Sequence, residues 1–299
     1  MVPNNDGLFV ESGDAIDKGA NLGIAYNNAI NFAGRSGGLS RPQGAGWDIG
    51  AYEYQAQSGN TYYVSTTGSD SNPGTQAQPW RTIQKAADTM VAGDTVNVLE
   101  GDYSSDGSVW IYKSGAAGAP ITYQAQGNVK VRGFLVAAKY SPTYDTDNAD
   151  YITIRGFEIV NTDDHIPGVE DWRRGTGIFV EGSHCLIENN KIHYSTWGGI
   201  NLFKQNGHVE VPEGCIVRNN LLYQNGMCGI SVSGRNNLIE NNEIWGTIQH
   251  HPNNKAQSNV SWLDADGMRF FGQGHIIRNN YIHDIDYGNV YDSENNVIG

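Results

Sequence analysis

Four short segments of the chain repeat one pattern of apolar and polar positions: CLIENNKI (185–192), CIVRNNLL (215–222), NLIENNEI (237–244) and HIIRNNYI (275–282). Each follows a second short run that opens on glycine: GIFV (177–180), GINL (199–202), GISV (229–232) and GMRF (267–270). Apolar and polar residues alternate within these runs, as in a strand with one face buried. The distance from that glycine to the first Asn is 12 residues for Gly177–Asn189, Gly229–Asn241 and Gly267–Asn279. From Asn to the next glycine it is 10 for Asn189–Gly199 and Asn219–Gly229, so the unit is 22 residues with at least two strands. A fixed period of this size with short strands is a solenoid signature, and the LxxLxL pattern of leucine-rich repeats is missing. The fold class expected is all-β: a right-handed single-stranded parallel β-helix. Its interior file is Ile178, Ile200, Ile230 and Met268. Asn189, Asn219, Asn241 and Asn279 are expected to stack as a side-chain ladder at a corner, since Asn bonds its copy in the next coil and tolerates the left-handed backbone.

The pattern changes upstream. Tyr62–Ser65 predicts a strand, and Thr82–Met90 a helix with Ile83, Ala86, Ala87 and Met90 on one face and Gly93 ending it. Val96–Leu99 predicts another strand. That helix would cap the open N-terminal end of the coils. Residues 1–55 are rich in Gly, Pro and Asp and read as a loop-rich unit, 56–60 as a linker, and 61–299 as the solenoid.

The period breaks at three insertions: 11 residues around NTDDHIPGVEDWRR, 8 around KQNGHVEVPEG and 16 around TIQHHPNNKAQSNVSWLDA. The first and third precede the glycine-opening strand and the second follows it, so all three wall one face of the solenoid, the usual mark of a binding face. On that face Phe179, Asn201, Ser231 and Arg269 form one outward column, and Glu181, Phe203, Ser233 and Phe271 the next. Gly177, Gly199, Gly229 and Gly267 would leave bare backbone for a ligand to approach. Aromatic rings beside polar groups suit a sugar chain. This makes Asn201, Phe203, Ser231, Phe271 and Glu181 the candidate substrate-binding residues.

Composition narrows the partner. The 299 residues carry 19 basic and 32 acidic side chains, a net charge of −13, which argues against nucleic acid. No run approaches the ~18 apolar residues of a membrane span. The opening MVPNNDGLFVESGD has neither a basic nor an apolar signal region, so an export signal, if used, is expected outside this chain. Three cysteines, Cys185, Cys215 and Cys228, make no disulfide framework. Cys185 and Cys215 hold equivalent places in adjacent coils and are expected to be stacked buried thiols.

The candidate chemistry lies along the same strand. Lys204 directly follows GINLF, where other coils have glycine, and is a candidate base; its alternative is a solvated loop lysine. Arg269 can hold a carboxylate in a fork, or pair with Asp266 or Glu181. Asp264 and Asp266 at the strand mouth, with Asp284 and Asp286 one coil later, offer hard oxygen ligands to Ca²⁺, or cap local turns. Glu170, Asp171, Arg173 and Arg174 in the first insertion read as wall contacts or internal salt bridges, with substrate contact as the alternative, and His250 and His251 as loop residues.

The stretch TYYVSTTGSDSNPGTQAQPWRTIQKAADTMVAGDTVNVLEGDY, with KSGAAGAPITYQA after it, resembles the opening of right-handed β-helix polysaccharide-active proteins. The family it is most similar to is the family-9 polysaccharide lyases of pectate lyase type, over residues 61–299. DADGMRFFG is similar to the coil in which those lyases carry a calcium-binding Asp, matched here by Asp266, and further on a lysine base. Arg269 and Phe270 stand where that lysine would be sought, and HDIDYGNVYD (283–292) lacks the lyases' paired Asp. Residues 11–54 resemble the closing turns of a β-helix module of bacterial surface proteins, implying a larger multidomain chain. The end at NNVIG has no polar cap, so fraying is expected around Ile276, Ile277 and Ile282. The resemblance implies a secreted or cell-surface protein acting on an acidic polysaccharide by β-elimination. A hydrolase drawing two carboxylates from Asp264, Asp266, Glu181 and Glu170, and a non-catalytic glycan-binding adhesin, stay open.

Overall fold

Each short alternating run becomes one rung of parallel sheet. The computed structural model describes residues 59–137, 149–160, 175–203, 212–247 and 265–285. The unit expected over residues 1–55, the first insertion, residues 204–211 and 248–264 of the other two, and NNVIG lie outside the described residues. The N-terminal part comprises β1 (Thr61–Val64), α1 (Ile83–Thr89), β2 (Thr95–Asp102), β3 (Val109–Ile111) and the long β4 (Ile121–Val131). Then come β5 (Phe134–Val136), β6 (Ile152–Arg155) and β7 (Glu158–Val160), followed by β8 (Thr176–Val180), β9 (Leu186–Glu188) and β10 (Lys191–His193). The next coil is β11 (Gly198–Leu202), β12 (Ile216–Arg218) and β13 (Leu221–Tyr223). The last two are β14 (Cys228–Val232), β15 (Leu238–Glu240), β16 (Glu243–Trp245) and β17 (Asp266–Phe270), β18 (Ile276–Arg278), β19 (Tyr281–His283).

All the paired strands are parallel, and they stack into three faces of a parallel β-helix. One face is the six-stranded sheet β17-β14-β11-β8-β5-β3. The other two, β4-β6-β9-β12-β15-β18 and β4-β7-β10-β13-β16-β19, share β4 at one end. The coil thus has three strands where the period required at least two. The reason is the NN pair, which splits each eight-residue repeat into two three-residue strands.

The two Asn of each pair do different jobs, which corrects the expected ladder. Asn189, Asn219, Asn241 and Asn279 hold left-handed backbone, with φ of 57°, 55°, 54° and 56°, and point outward. The ladder is built by their successors. Asn190 Nδ2 donates to Asn220 Oδ1 at 3.1 Å, Asn220 Nδ2 to Asn242 Oδ1 at 3.0 Å and Asn242 Nδ2 to Asn280 Oδ1 at 3.0 Å. Each Nδ2 also donates to a carbonyl, as Asn220 does to Ile187 O at 3.0 Å. Each Oδ1 also takes a backbone N–H, as Asn242 Oδ1 takes that of Asn220 at 3.0 Å. Asn190, Asn220 and Asn242 are buried, and this closed network satisfies amides that would otherwise be costly to bury. The chain turns because the first Asn accepts the left-handed region, which costs other residues about 1–2 kcal/mol.

The interior is as expected. Ile178, Ile200 and Ile230 lie in register in a file that Met268 continues, and the three isoleucines are fully buried. Ile187, Val217 and Ile239 line a second wall, and Ile192, Leu222 and Ile244 a third. Each such side chain contributes about 1.5–3 kcal/mol by leaving water. α1 packs Ile83, Ala86 and Ala87 inward and contacts β3 and β1, with Thr82 Oγ1 capping it by accepting Lys85 N–H at 3.2 Å. Cys185 and Cys215 are free, buried and stacked as expected, and burial pushes the Cys185 thiol well up. On the last described coil Ile276, Ile277 and Ile282 are exposed. Among the described residues no helix is long and apolar enough to cross a membrane.

The outer face of β10, β13, β16 and β19 carries a stack that the period did not reveal. His193 lies on Tyr223 with ring centroids 4.7 Å apart and planes at 5°, and Tyr223 on Trp245 at 4.8 Å and 6°. His193 Nε2 meets Glu158 Oε1 at 2.8 Å, and Lys191 reaches the same oxygen at 3.2 Å. Burial lowers the pKa of His193 below its ordinary 6.5, overriding the opposing pull of Glu158.

Two predictions follow from this packing. Asn220→Ala orphans partners on both neighbouring rungs and should destabilise by about 2–4 kcal/mol in urea titration, taking roughly 1–3 kcal/mol per orphaned group. Asn219→Gly, at the corner, should fall within about 0.5 kcal/mol of the parent. The second concerns pH. Because the folded state disfavours charged His193, the protein should lose stability as pH falls from 6.5 toward the lower folded pKa, and not above 6.5. Thermal melts of His193→Phe, which keeps a ring over Tyr223, should lack that part of the pH dependence.

Candidate functional site

Strand alternation turns one residue outward beside each interior isoleucine, and parallel register stacks these residues in a column. Leu135 pairs with Phe179, Phe179 with Asn201, Asn201 with Ser231, and Ser231 with Arg269. The second column is held by backbone bonds from Phe203 N to Val180 O, Ser233 N to Leu202 O and Phe271 N to Val232 O. Both columns are those expected from the spacing, but they are not open along their length. Leu135 and Phe179 are fully buried and pack with Ala137, Trp110 and Phe203. The upper part of the face is therefore closed by apolar contact.

Over β11, β14 and β17 the face opens into a concavity of about 300 Å³. Asn201, Phe203, Ser231, Arg269 and Phe271 line it together with Trp197 and Met227. Five sequence candidates thus converge. Trp197 and Met227 were missed because they belong to no strand. Each stands two residues before the opening glycine of its coil, Gly199 or Gly229, and that shared offset of a large apolar residue was the available signal.

Asn201 is 2% exposed; its Nδ2 donates to Thr176 Oγ1 at 3.2 Å, and its Oδ1 is buried without a hydrogen-bond partner. Leaving such an acceptor unmet costs about 1–3 kcal/mol. Arg269 is held by Asp266: Nε and Nη2 both reach Asp266 Oδ2, at 2.7 and 2.6 Å. Of the two partners foreseen for this arginine, the structure selects Asp266. Phe271 is half-exposed at the rim, and Ser231 is buried in the floor.

The remaining candidates fall elsewhere. Glu181 is buried in the rung before Phe203 and is not part of the lining. Asp284 sits at a left-handed corner with φ 49° after β19, its Oδ2 2.8 Å from His283 Nδ1. Lys204, Asp264 and Asp286, with Glu170, His250 and His251, lie outside the described residues. Among the described residues no three His, Cys, Asp or Glu side chains come together to hold a metal. The described pair does not fit calcium. Asp266 engages a guanidinium that would repel a divalent ion beside it, and Asp284 is turned to an imidazole.

The glycine column has a different cause from the one expected. A Cβ on Gly199 would lie 2.5 Å from Leu222 Cδ2 and 2.6 Å from Gly229 O; on Gly229, 2.5 Å from Ile244 Cγ2 and 2.6 Å from Gly267 O. Glycine is required because the core and the next rung fill the space, and the backbone is not bared to a ligand.

A family model described as a Pel9A-like right-handed β-helix region matches residues 62–268. The uncharacterized protein YwoF of Bacillus subtilis (strain 168) is 35% identical over 141 residues, 45% of this chain and 29% of YwoF. Pectate lyase PEL9 of Emericella nidulans is 41% identical over 63 residues, 21% of this chain and 15% of that protein. The solved structure of XylC with xylose superposes with a TM-score of 0.55 at 18% identity, covering 75% of this chain and 59% of XylC. Pectate lyase Pel9A gives 0.55 at 21% identity, covering 78% and 56%. These two structures share the fold, and the chain spans less than two thirds of each of these relatives.

The glycine packing gives a direct test. Gly229→Ala should destabilise by about 1–3 kcal/mol, as overpacking does. Urea titration checks it; a stability equal to the parent would restore the open-backbone explanation.

Proposed function

The chain belongs to the Pel9A-like right-handed β-helix family, and from that premise we propose that it acts on an extended, uronate-containing polysaccharide by β-elimination, outside the cell. The observation that carries this reading is the convergence, in one concavity, of a fixed cation, a polar floor and apolar side chains. Arg269 supplies the cation, Asn201 and Ser231 the floor, and Trp197, Phe203, Met227 and Phe271 the apolar surface. Such a mixture suits a pyranose ring, whose C–H faces pack on apolar groups while its hydroxyls and carboxylate take the polar ones.

In the proposed mechanism Arg269 neutralises the substrate carboxylate, which acidifies the proton α to it and stabilises the enolate that forms. Asp266 holds the guanidinium in place. Lys204, which follows Phe203 in sequence, is the proposed base. It removes the α proton, the C4–O4 bond breaks as the C4–C5 double bond forms, and the departing O4 takes a proton from water, leaving an unsaturated sugar on one product and a hydroxyl on the other. No step is assigned to calcium, because the described carboxylates do not fit the ion.

Ultraviolet absorbance of unsaturated products, across polygalacturonate, alginate and other acidic polysaccharides, tests the reading. Lys204→Ala should abolish turnover with binding nearly intact, since a base acts in the transition state. Arg269→Ala should reduce both. Reducing ends released without absorbance would favour the hydrolase. Binding without any products would favour the adhesin.

A further inference from the structure

We infer that the concavity is a blind pocket for the end of a glycan chain, so that the protein works from chain termini and not along the middle of the polymer. The inference rests on the polysaccharide reading above and adds to it the mode of attack.

The first observation is where the outward column changes character. From strand to strand it runs Trp110, Leu135, Phe179, Asn201, Ser231 and Arg269. The first three are apolar and the last three polar, and the change falls between β8 and β11. On the apolar side Leu135, Phe179 and Ala137 are fully buried in one cluster, with Trp110 and Phe203 packed against it. A sugar chain running along the sheet from β11 toward β8 would meet carbon where its hydroxyls need partners. Prising the cluster apart to admit it would return apolar surface to water. The concavity accordingly takes its strand residues from β11, β14 and β17, three strands of the six. Strands stand about 4.8 Å apart, so it runs roughly 10 Å from first to last, which is short for the middle of an extended polysaccharide.

The second observation is the shape of its two ends. At β11 Trp197 stands before the strand and Phe203 directly after it, with Asn201 on the floor between. Phe203 belongs to both sides of the boundary: it packs on the Leu135–Phe179 cluster and lines the concavity. It is the partition that closes the pocket. Trp197 is anchored by its backbone N–H, which donates to Gly175 O at 2.9 Å, and it packs with Met227 and Cys228. The places two residues before the opening glycines Gly199, Gly229 and Gly267 hold Trp197, Met227 and Ala265. That wall therefore steps down from an indole to a methyl group, and the pocket opens toward β17.

Isothermal titration with oligogalacturonates and oligoalginates of defined length, and with the polymers, tests the inference. The parent is used beside Lys204→Ala, which prevents turnover. The number of proteins bound per chain at saturation should be the same for short and long chains. An O-methyl group on the terminal residue, as the 4-O-methyl ether at one end or the methyl glycoside at the other, should weaken binding about 10- to 100-fold at the end that enters, as overfilling a closed site does. Phe203→Ala should recover about tenfold of that loss by deepening the pocket, and Ser233→Ala, one rung on and outside the lining, should recover none. Circular dichroism melts check that each variant folds. In the parent's digests short unsaturated products should appear from the start while viscosity holds near its initial value. Bound protein that rises in proportion to chain length overturns the inference and leaves the lyase reading standing. So does binding untouched by a methyl group at either end, or a viscosity that falls ahead of product absorbance. A constant number per chain, with the methyl effect and no unsaturated products, leaves the inference standing and removes the lyase reading. No binding to any acidic chain overturns both.

Discussion

Every coil must repeat the one before it at a spacing of about 4.8 Å, and this constraint governs the rest of the molecule. Equivalent residues in successive coils are forced into contact, so a residue is acceptable only if it can lie against a near copy of itself. Isoleucine and valine meet that demand by dispersion in the interior. Asparagine meets it by donating to the next amide and accepting from the previous one, which closes a buried chain from Asn190 to Asn280. Aromatic rings meet it on an outer face, where His193, Tyr223 and Trp245 stack nearly parallel. Charged residues meet it by alternating sign. Arg218 pairs with Glu188 at 2.8 Å and Arg278 with Glu240 at 2.7 Å, each carboxylate buried and each guanidinium reaching toward solvent.

The site departs from that rule. Down the outward column of the six-stranded sheet, Leu135 and Phe179 give way to Asn201, Ser231 and Arg269, three unlike polar residues on consecutive rungs. No self-stacking interaction explains that series. Arg269 finds its partner on its own strand, and Asn201 keeps an acceptor unmet. The sequence satisfies its buried amides at the NN corner and leaves the Asn201 acceptor unmet beside the concavity.

Membership of a lyase-like family supplies the fold and does not by itself supply the chemistry, since one fold hosts many reactions. Here the local residues shape the functional reading. Of the four Asp offered as calcium ligands, the two described are drawn apart: Asp266 to Arg269, and Asp284 to a corner beside His283. What converges instead is a guanidinium and neutral acceptors, and that convergence supports direct recognition of a carboxylate.

The amino-acid sequence alone was enough for the solenoid, the 22-residue unit, the capping helix and the two outward columns, because each follows from strand alternation and a fixed period. Five of the seven side chains lining the concavity were legible for the same reason. Other features depended on contacts between coils. The two Asn of each pair could not be told apart from spacing, since only a folded corner puts one in left-handed backbone and the other in the ladder. The glycines looked like openings, and packing made them close contacts with Leu222 and Ile244. Trp197 and Met227 carry no strand periodicity, and the turns alone bring them to the site. The partner of Arg269 was open between two carboxylates until the rungs were stacked. Register then left Glu181 buried on an earlier rung, while Asp266 lay three residues away on the same strand as Arg269.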